Sequence, residues 1–134
     1  MKKVYSISEA EIVSPRVTIG EFFLKLLHAA TNGHILHLQS KSYSEHKALQ
    51  KFYEEIVDLT DTVIETWQGR TGTIAQYPST YTPPKANGLD ELMDLATYID
   101  ANRNLVGDQS ELQNNVDEIR SLVDSTIYKL INLK

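Results

Sequence analysis

The stretch from His34 to Glu65, HILHLQSKSYSEHKALQKFYEEIVDLTDTVIE, holds a dense set of side chains that can do chemistry. Three of the chain's four histidines, His34, His37 and His46, fall at or beside one short helix–helix connection. A carboxylate-bearing helix follows: counted from His46, Tyr53 stands seven residues on, Asp61 fifteen and Glu65 nineteen. Imidazole and carboxylate together at helical spacings form a di-iron type of ligand set, because both donors suit iron. Other chemistries find no foothold. The chain has no phosphate-binding glycine loop, no serine–histidine–aspartate pattern and no HExxH zinc spacing. Without cysteine, neither a disulfide framework nor a thiolate metal site is open to it.

Four amphipathic helices must position these groups, in one all-α domain of 134 residues that is long enough to bury a core. Residues 1–16 read as an extended N-terminal arm ended by Ser14-Pro15, and residues 17–134 as the helical domain. The first helix is expected from near Thr18 to near Ser40, with Phe23, Leu26, Ala30, His34 and His37 in one stripe at about 100° per residue. The second starts after Ser42 or Ser44, either a fair N-cap, and ends at Gly69. Its Leu49, Phe52, Ile56, Leu59, Val63 and Trp67 recur at alternating spacings of three and four, a buried stripe. The third is expected from Leu89 to Leu105, with Leu89, Leu92, Met93, Ala96 and Ile99 inward. The fourth spans Gln109 to Ile131, with Leu112, Val116, Ile119, Leu122 or Val123, Thr126 and Leu130 on one side.

Connection lengths decide the topology. Helices one and two, and three and four, are joined by a few residues, so each pair is an antiparallel hairpin. Between helices two and three lie about twenty residues, GRTGTIAQYPSTYTPPKANG, which reach roughly 30 Å even half-extended. That length suits a bundle whose halves are joined by one crossover along the molecule, the ferritin-like arrangement. Tyr77, Pro78, Tyr81, Pro83 and Pro84 would stiffen this loop.

On the second helix, Glu54, Asp58, Asp61 and Glu65 form a carboxylate stripe. With Leu49 as zero it lies at about 120–180°, against about 280–360° for the apolar face, so it points away from the core. A solvated acidic face is the ordinary reading of such a stripe. Between stripe and core, however, sit His46, Tyr53, Val57 and Ile64, an apolar flank that suggests a second packed face such as a dimer interface. A two-fold axis there would bring one subunit's Asp61 and Glu65 against the other's histidines. His34 and His37 on an apolar stripe are, taken alone, more often satisfied core residues than ligands. His28 falls off the stripe and reads as exposed, and Trp67 as core packing.

The His46, Tyr53, Asp61, Glu65 offsets, with His37-Leu38-Gln39 in the place of a His-Trp-Asn, resemble the second helix and preceding turn of Dps-type miniferritins. GDQSELQNNVDEIRSLVDSTIYKLINL is similar to the family's terminal helix, so the resemblance covers residues about 20–67 and 107–131. The family's tryptophan and Gly-Pro loop are replaced here by Leu38 and SKSYS. The junction HLQ to SYSEHKAL also looks like Dps-like proteins carried by tailed bacteriophages. The resemblance implies an iron-binding or ferroxidase protein with a di-iron-type site shared between subunits. Its ligands would be His37, His46, Asp61 and Glu65, with His34 and Asp58 as second choices. The family spaces its two histidines by twelve, which His34 and His46 keep; the local match picks His37. A non-catalytic helical bundle is the alternative, one that keeps the fold without the metal chemistry and binds a host or phage protein or a small ligand.

Charge and hydropathy set the expected partners. With 13 basic against 18 acidic residues, a net charge of −5 and no lysine-rich tail, the chain is expected to bind no nucleic acid. No run approaches the ~18 apolar residues of a membrane span, and MKKVYSISEAEIV lacks the apolar segment of a signal peptide. The expectation is a cytoplasmic homo-oligomer, at least a dimer.

Overall fold

Helix α1 (Ile19–Gln39) begins where Thr18 and Glu21 satisfy each other's backbone: the Thr18 hydroxyl accepts from Glu21 N–H at 3.1 Å, and the Glu21 carboxylate accepts from Thr18 N–H at 2.8 Å. This capping box fixes two donors that the first turn would otherwise leave open. The computed structural model describes residues 16–134, so the expected arm lies outside the described residues apart from Arg16. Ser40 ends α1 and Ser42, its hydroxyl accepting from Glu45 N–H at 3.3 Å, starts α2 (Tyr43–Thr71). Asn87 caps α3 (Gly88–Asn102) through Asp90 N–H at 2.9 Å. A 3₁₀ turn (Arg103–Val106) and Gly107, at φ 98°, then lead into α4 (Ser110–Asn132). Gln113 locks that corner, its amide donating to the carbonyls of Arg103 at 3.0 Å and Gly107 at 2.7 Å.

These helices make an all-α four-helix bundle with one long crossover between α2 and α3. Neighbours run antiparallel. Phe23 meets Trp67 and His37 meets His46 across α1–α2, and Asn32 meets Glu91 and Phe22 meets Tyr98 across α1–α3. Arg70 reaches Glu111 across α2–α4, and Arg120 reaches Asp100 across α3–α4, which holds the Asp100 carboxyl below its usual range. Helices α2 and α3 are therefore parallel and diagonal, and only a segment returning along the bundle can join them. Phe22, Phe23, Leu26, Leu49, Phe52, Ile56, Val63, Leu92, Leu95, Ile99, Leu112 and Ile119 fill the centre. No described helix is long and apolar enough to cross a membrane.

Several boundaries and faces differ from expectation. Gly69 lies inside α2; the helix ends at Gly72, whose φ of 72° is the left-handed conformation a C-cap needs. The crossover is thus residues 72–87, shorter than the expected stretch. Helix α3 stops at Asn102, and its predicted last turn is 3₁₀. Met93 points outward, 51% exposed, because Leu92, Leu95 and Ile99 hold the inward positions. In α1 the buried stripe is Phe22, Phe23, Leu26, Ala29, Gly33, Leu36 and His37, rotated so that His34 is exposed. Gly33 belongs there: a Cβ would come within 2.9 Å of the Phe52 ring, so the missing side chain lets α1 and α2 close up. Gly20 does the same for the crossover, since a Cβ would overlap the carbonyl of Gln76.

Candidate functional site

The α1–α2 turn presses two histidines together. His37 is in the last turn of α1 and His46 in the first turn of α2. His37 Nδ1–H donates to the His46 carbonyl at 2.7 Å, and His46 Nδ1–H donates to the His37 carbonyl at 2.9 Å. A carbonyl oxygen can only accept, so both Nδ1 atoms carry hydrogen. In the neutral rings both Nε2 atoms are then free lone pairs, the form in which imidazole binds metal. The rings stack with centroids 3.6 Å apart and planes 22° apart. His37 is 6% exposed, while His46 is half-buried.

Two further rings extend the row. Tyr53 stands edge-on to His37 at 5.2 Å, and His34 lies flat on Tyr53 at 4.2 Å. His34, the second choice of ligand, is therefore a neighbour stacked on Tyr53, 6.0 Å from the His37 ring. The hydrogen bonds pair His46 with His37 and not with His34. The stripe expected in the sequence had placed both on one face, and the 60° or so by which the real stripe is rotated separates them.

Asp61, Glu65 and the second-choice Asp58 are exposed on α2. Fifteen residues of helix put Asp61 about 22 Å from His46, so one chain cannot bring them to one ion. Among the described residues no group of three or more histidine, aspartate or glutamate side chains in the chain is placed to hold a metal. Asp61 instead lies near the crossover. The Tyr77 phenol is pushed above its usual range, first by burial and then by the Asp61 charge.

A second polar cluster was not anticipated from the sequence. Tyr81 O–H donates to Asn32 Oδ1 at 2.6 Å, and Asn32 Nδ2 donates to the Thr82 carbonyl at 3.1 Å and to Glu91 Oε2 at 3.3 Å. Glu91 Oε1 accepts from Lys85 N–H at 2.8 Å. Asn32 and Glu91 thus clasp the crossover to α1 and α3. The usable signal was a polar residue at an inward helical position: Asn32 lies three residues after Ala29, and Glu91 stands beside Leu92. His28, expected to be exposed, is half-buried with its ring edge-on to Tyr81 at 5.1 Å.

Residues 37–130 match a family described as a family of unknown function, DUF5856. The chain belongs to that family. The DUF5856 span opens on His37 and takes in His46, Tyr53, the carboxylate stripe and Glu91, while His34 and Asn32 precede it. No curated protein and no solved structure matches the chain.

Proposed function

We propose that the protein binds and oxidises ferrous iron in the manner of the Dps-type miniferritins it resembles, at a site shared by two copies of the chain. One copy would contribute His37 and His46 and the other Asp61 and Glu65. Ferrous iron is the substrate in this reading and oxygen or peroxide the electron acceptor.

The reciprocal histidine pair carries the reading. Each imidazole has its Nδ1–H tied to a backbone carbonyl, the support that orients metal-binding histidines and leaves Nε2 as the donor atom. The donor chemistry fits: two neutral imidazoles and two carboxylates suit iron. The register on α2 fits as well. The midpoint between His46 and the carboxylates falls between Tyr53 and the exposed Val57, so a two-fold axis crossing α2 there would pair His46 of one copy with Asp61 and Glu65 of the other. The roles divide accordingly: the histidines anchor through neutral nitrogens, and the carboxylates supply the negative charge that favours the ferric state.

The test is bound iron and native mass measured on one sample, then ferrous oxidation followed in the parent and in Glu65→Gln and His46→Ala. The expected result is an oligomer with bound iron, with fast oxidation lost in both variants and helix content unchanged. A protein that takes up no iron, or whose two variants oxidise it at the parent's rate, overturns the reading.

A further inference from the structure

Beneath the crossover, between α1 and α3, lies a cavity of about 340 Å³, within the range of small-molecule sites. Its lining carries charges of both signs. At one end is Glu91, 5% exposed. Its two oxygens accept one hydrogen bond each, from Lys85 N–H and Asn32 Nδ2, and no lysine, arginine or histidine among the described residues forms an ion pair with it. A carboxylate offers about four acceptor positions, and the described residues fill two of them, in a place where a buried carboxylate calls for a partner. Towards the other end stand Lys25, His28 and Arg16. Lys25 Nζ is held 3.1 Å from Asp94 and 5.3 Å from the centre of the Tyr98 ring. The acidic Glu21 also lines this end, its carboxylate turned to the Thr18 backbone N–H at 2.8 Å. Leu24, Val17 and Pro78 contribute apolar wall.

We infer that this cavity binds a small zwitterion whose ammonium and carboxylate are separated by an apolar chain, the ammonium at Glu91 and the carboxylate at Lys25, His28 and Arg16. The separation follows from α1. Asn32, which holds Glu91, lies four residues from His28 and seven from Lys25, or about 6 and 10 Å along the helix. An α-amino acid carries both charges on one carbon and cannot span that distance; an ω-amino acid can. Glu91 supplies a buried acceptor that an ammonium satisfies with hydrogen bonds as well as charge, and the apolar wall covers the chain between. This site shares no residue with the histidine pair, and its test is independent of iron.

The experiment is calorimetric titration of the full-length protein with ε-aminocaproate, and separately with hexylamine and hexanoate, which each keep one of its charges. The expected result is binding of ε-aminocaproate, with each single-charge probe weaker by roughly tenfold or more, as for a lost charge-assisted hydrogen bond. Glu91→Gln should weaken ε-aminocaproate and hexylamine but leave hexanoate unchanged. Because Glu91 also clasps the crossover, Lys25→Met serves as the second variant: it should weaken ε-aminocaproate and hexanoate and spare hexylamine. No heat with ε-aminocaproate at millimolar concentration, binding equal to that of hexylamine or hexanoate, or a Lys25→Met protein that binds like the parent overturns the assignment.

Discussion

The polar side chains inside this bundle are resolved to different degrees, and the difference predicts what substitution does. Thr126 is buried but its hydroxyl donates to the Leu122 carbonyl at 2.8 Å. The Thr60 hydroxyl, equally buried on α2, finds no partner among the described residues. A buried hydroxyl without a hydrogen bond keeps its desolvation cost, about 1–3 kcal/mol, with nothing to offset it. Thr60→Val keeps the branched shape and removes that cost. The expected outcome is a gain of about 1 kcal/mol or more in denaturant unfolding, with Thr126→Val losing a comparable amount. A Thr60→Val protein less stable than the parent would show that the hydroxyl has a partner after all. The histidine pair is the opposite case. Each Nδ1–H is fully used by a backbone carbonyl, so neither ring leaves that donor unmet.

At the scale of elements, glycine decides where helices end and how closely segments approach, and the residue name alone does not say which. Gly69 was expected to end α2, yet it is helical with nothing within 4 Å of where a Cβ would stand; Gly72, at φ 72°, ends the helix. Gly69→Ala should therefore stabilise by roughly 0.5–1 kcal/mol through the unfolded chain's lost freedom. Gly20→Ala should do the reverse despite the same helical gain, losing about 1–3 kcal/mol, because the new methyl group displaces the crossover backbone at Gln76. Thermal unfolding of the two variants side by side checks the sign, and equal shifts would mean the crossover does not sit against α1. The four helices, the start of α1 near Thr18, a serine cap for α2 (Ser42 or Ser44) and the long crossover were legible because they depend on local spacing and capping chemistry. The Asn32–Tyr81–Glu91 clasp was not, because it joins residues 49 and 59 positions apart through contacts that no periodicity encodes. Nor was the phase of α1: Phe22 and Phe23 are both buried, and a stripe counted from Phe23 alone turned His34 inward.

At the scale of the whole molecule, the iron site proposed above needs more than one copy of the chain. His46 stands in the first turn of α2, the carboxylates come about 22 Å later, and among the described residues nothing in one chain closes that gap. In the proposed dimer two-fold symmetry would close it, because an isologous interface sets residue i of one copy against residue j of the other and the reverse at once. The same symmetry makes the centre of the interface sensitive. A residue near the axis meets its own copy, so one added charge appears twice at short range in a desolvated patch, where like charges repel strongly. Val57, 44% exposed on the single chain, would lie about 4 Å along α2 from the centre of the proposed interface. Val57→Glu, a surface change that leaves the core of the bundle intact, is expected to convert the assembly to monomer by native mass. Helix content should be unchanged and iron uptake lost together with the dimer. The control is Val57→Ala, which removes apolar area without adding charge and should weaken association without abolishing it. A Val57→Glu protein that keeps the parent's mass would move the interface off this face of α2. It would then leave His37 and His46 as a clamp for the α1–α2 turn, with no second copy to complete them.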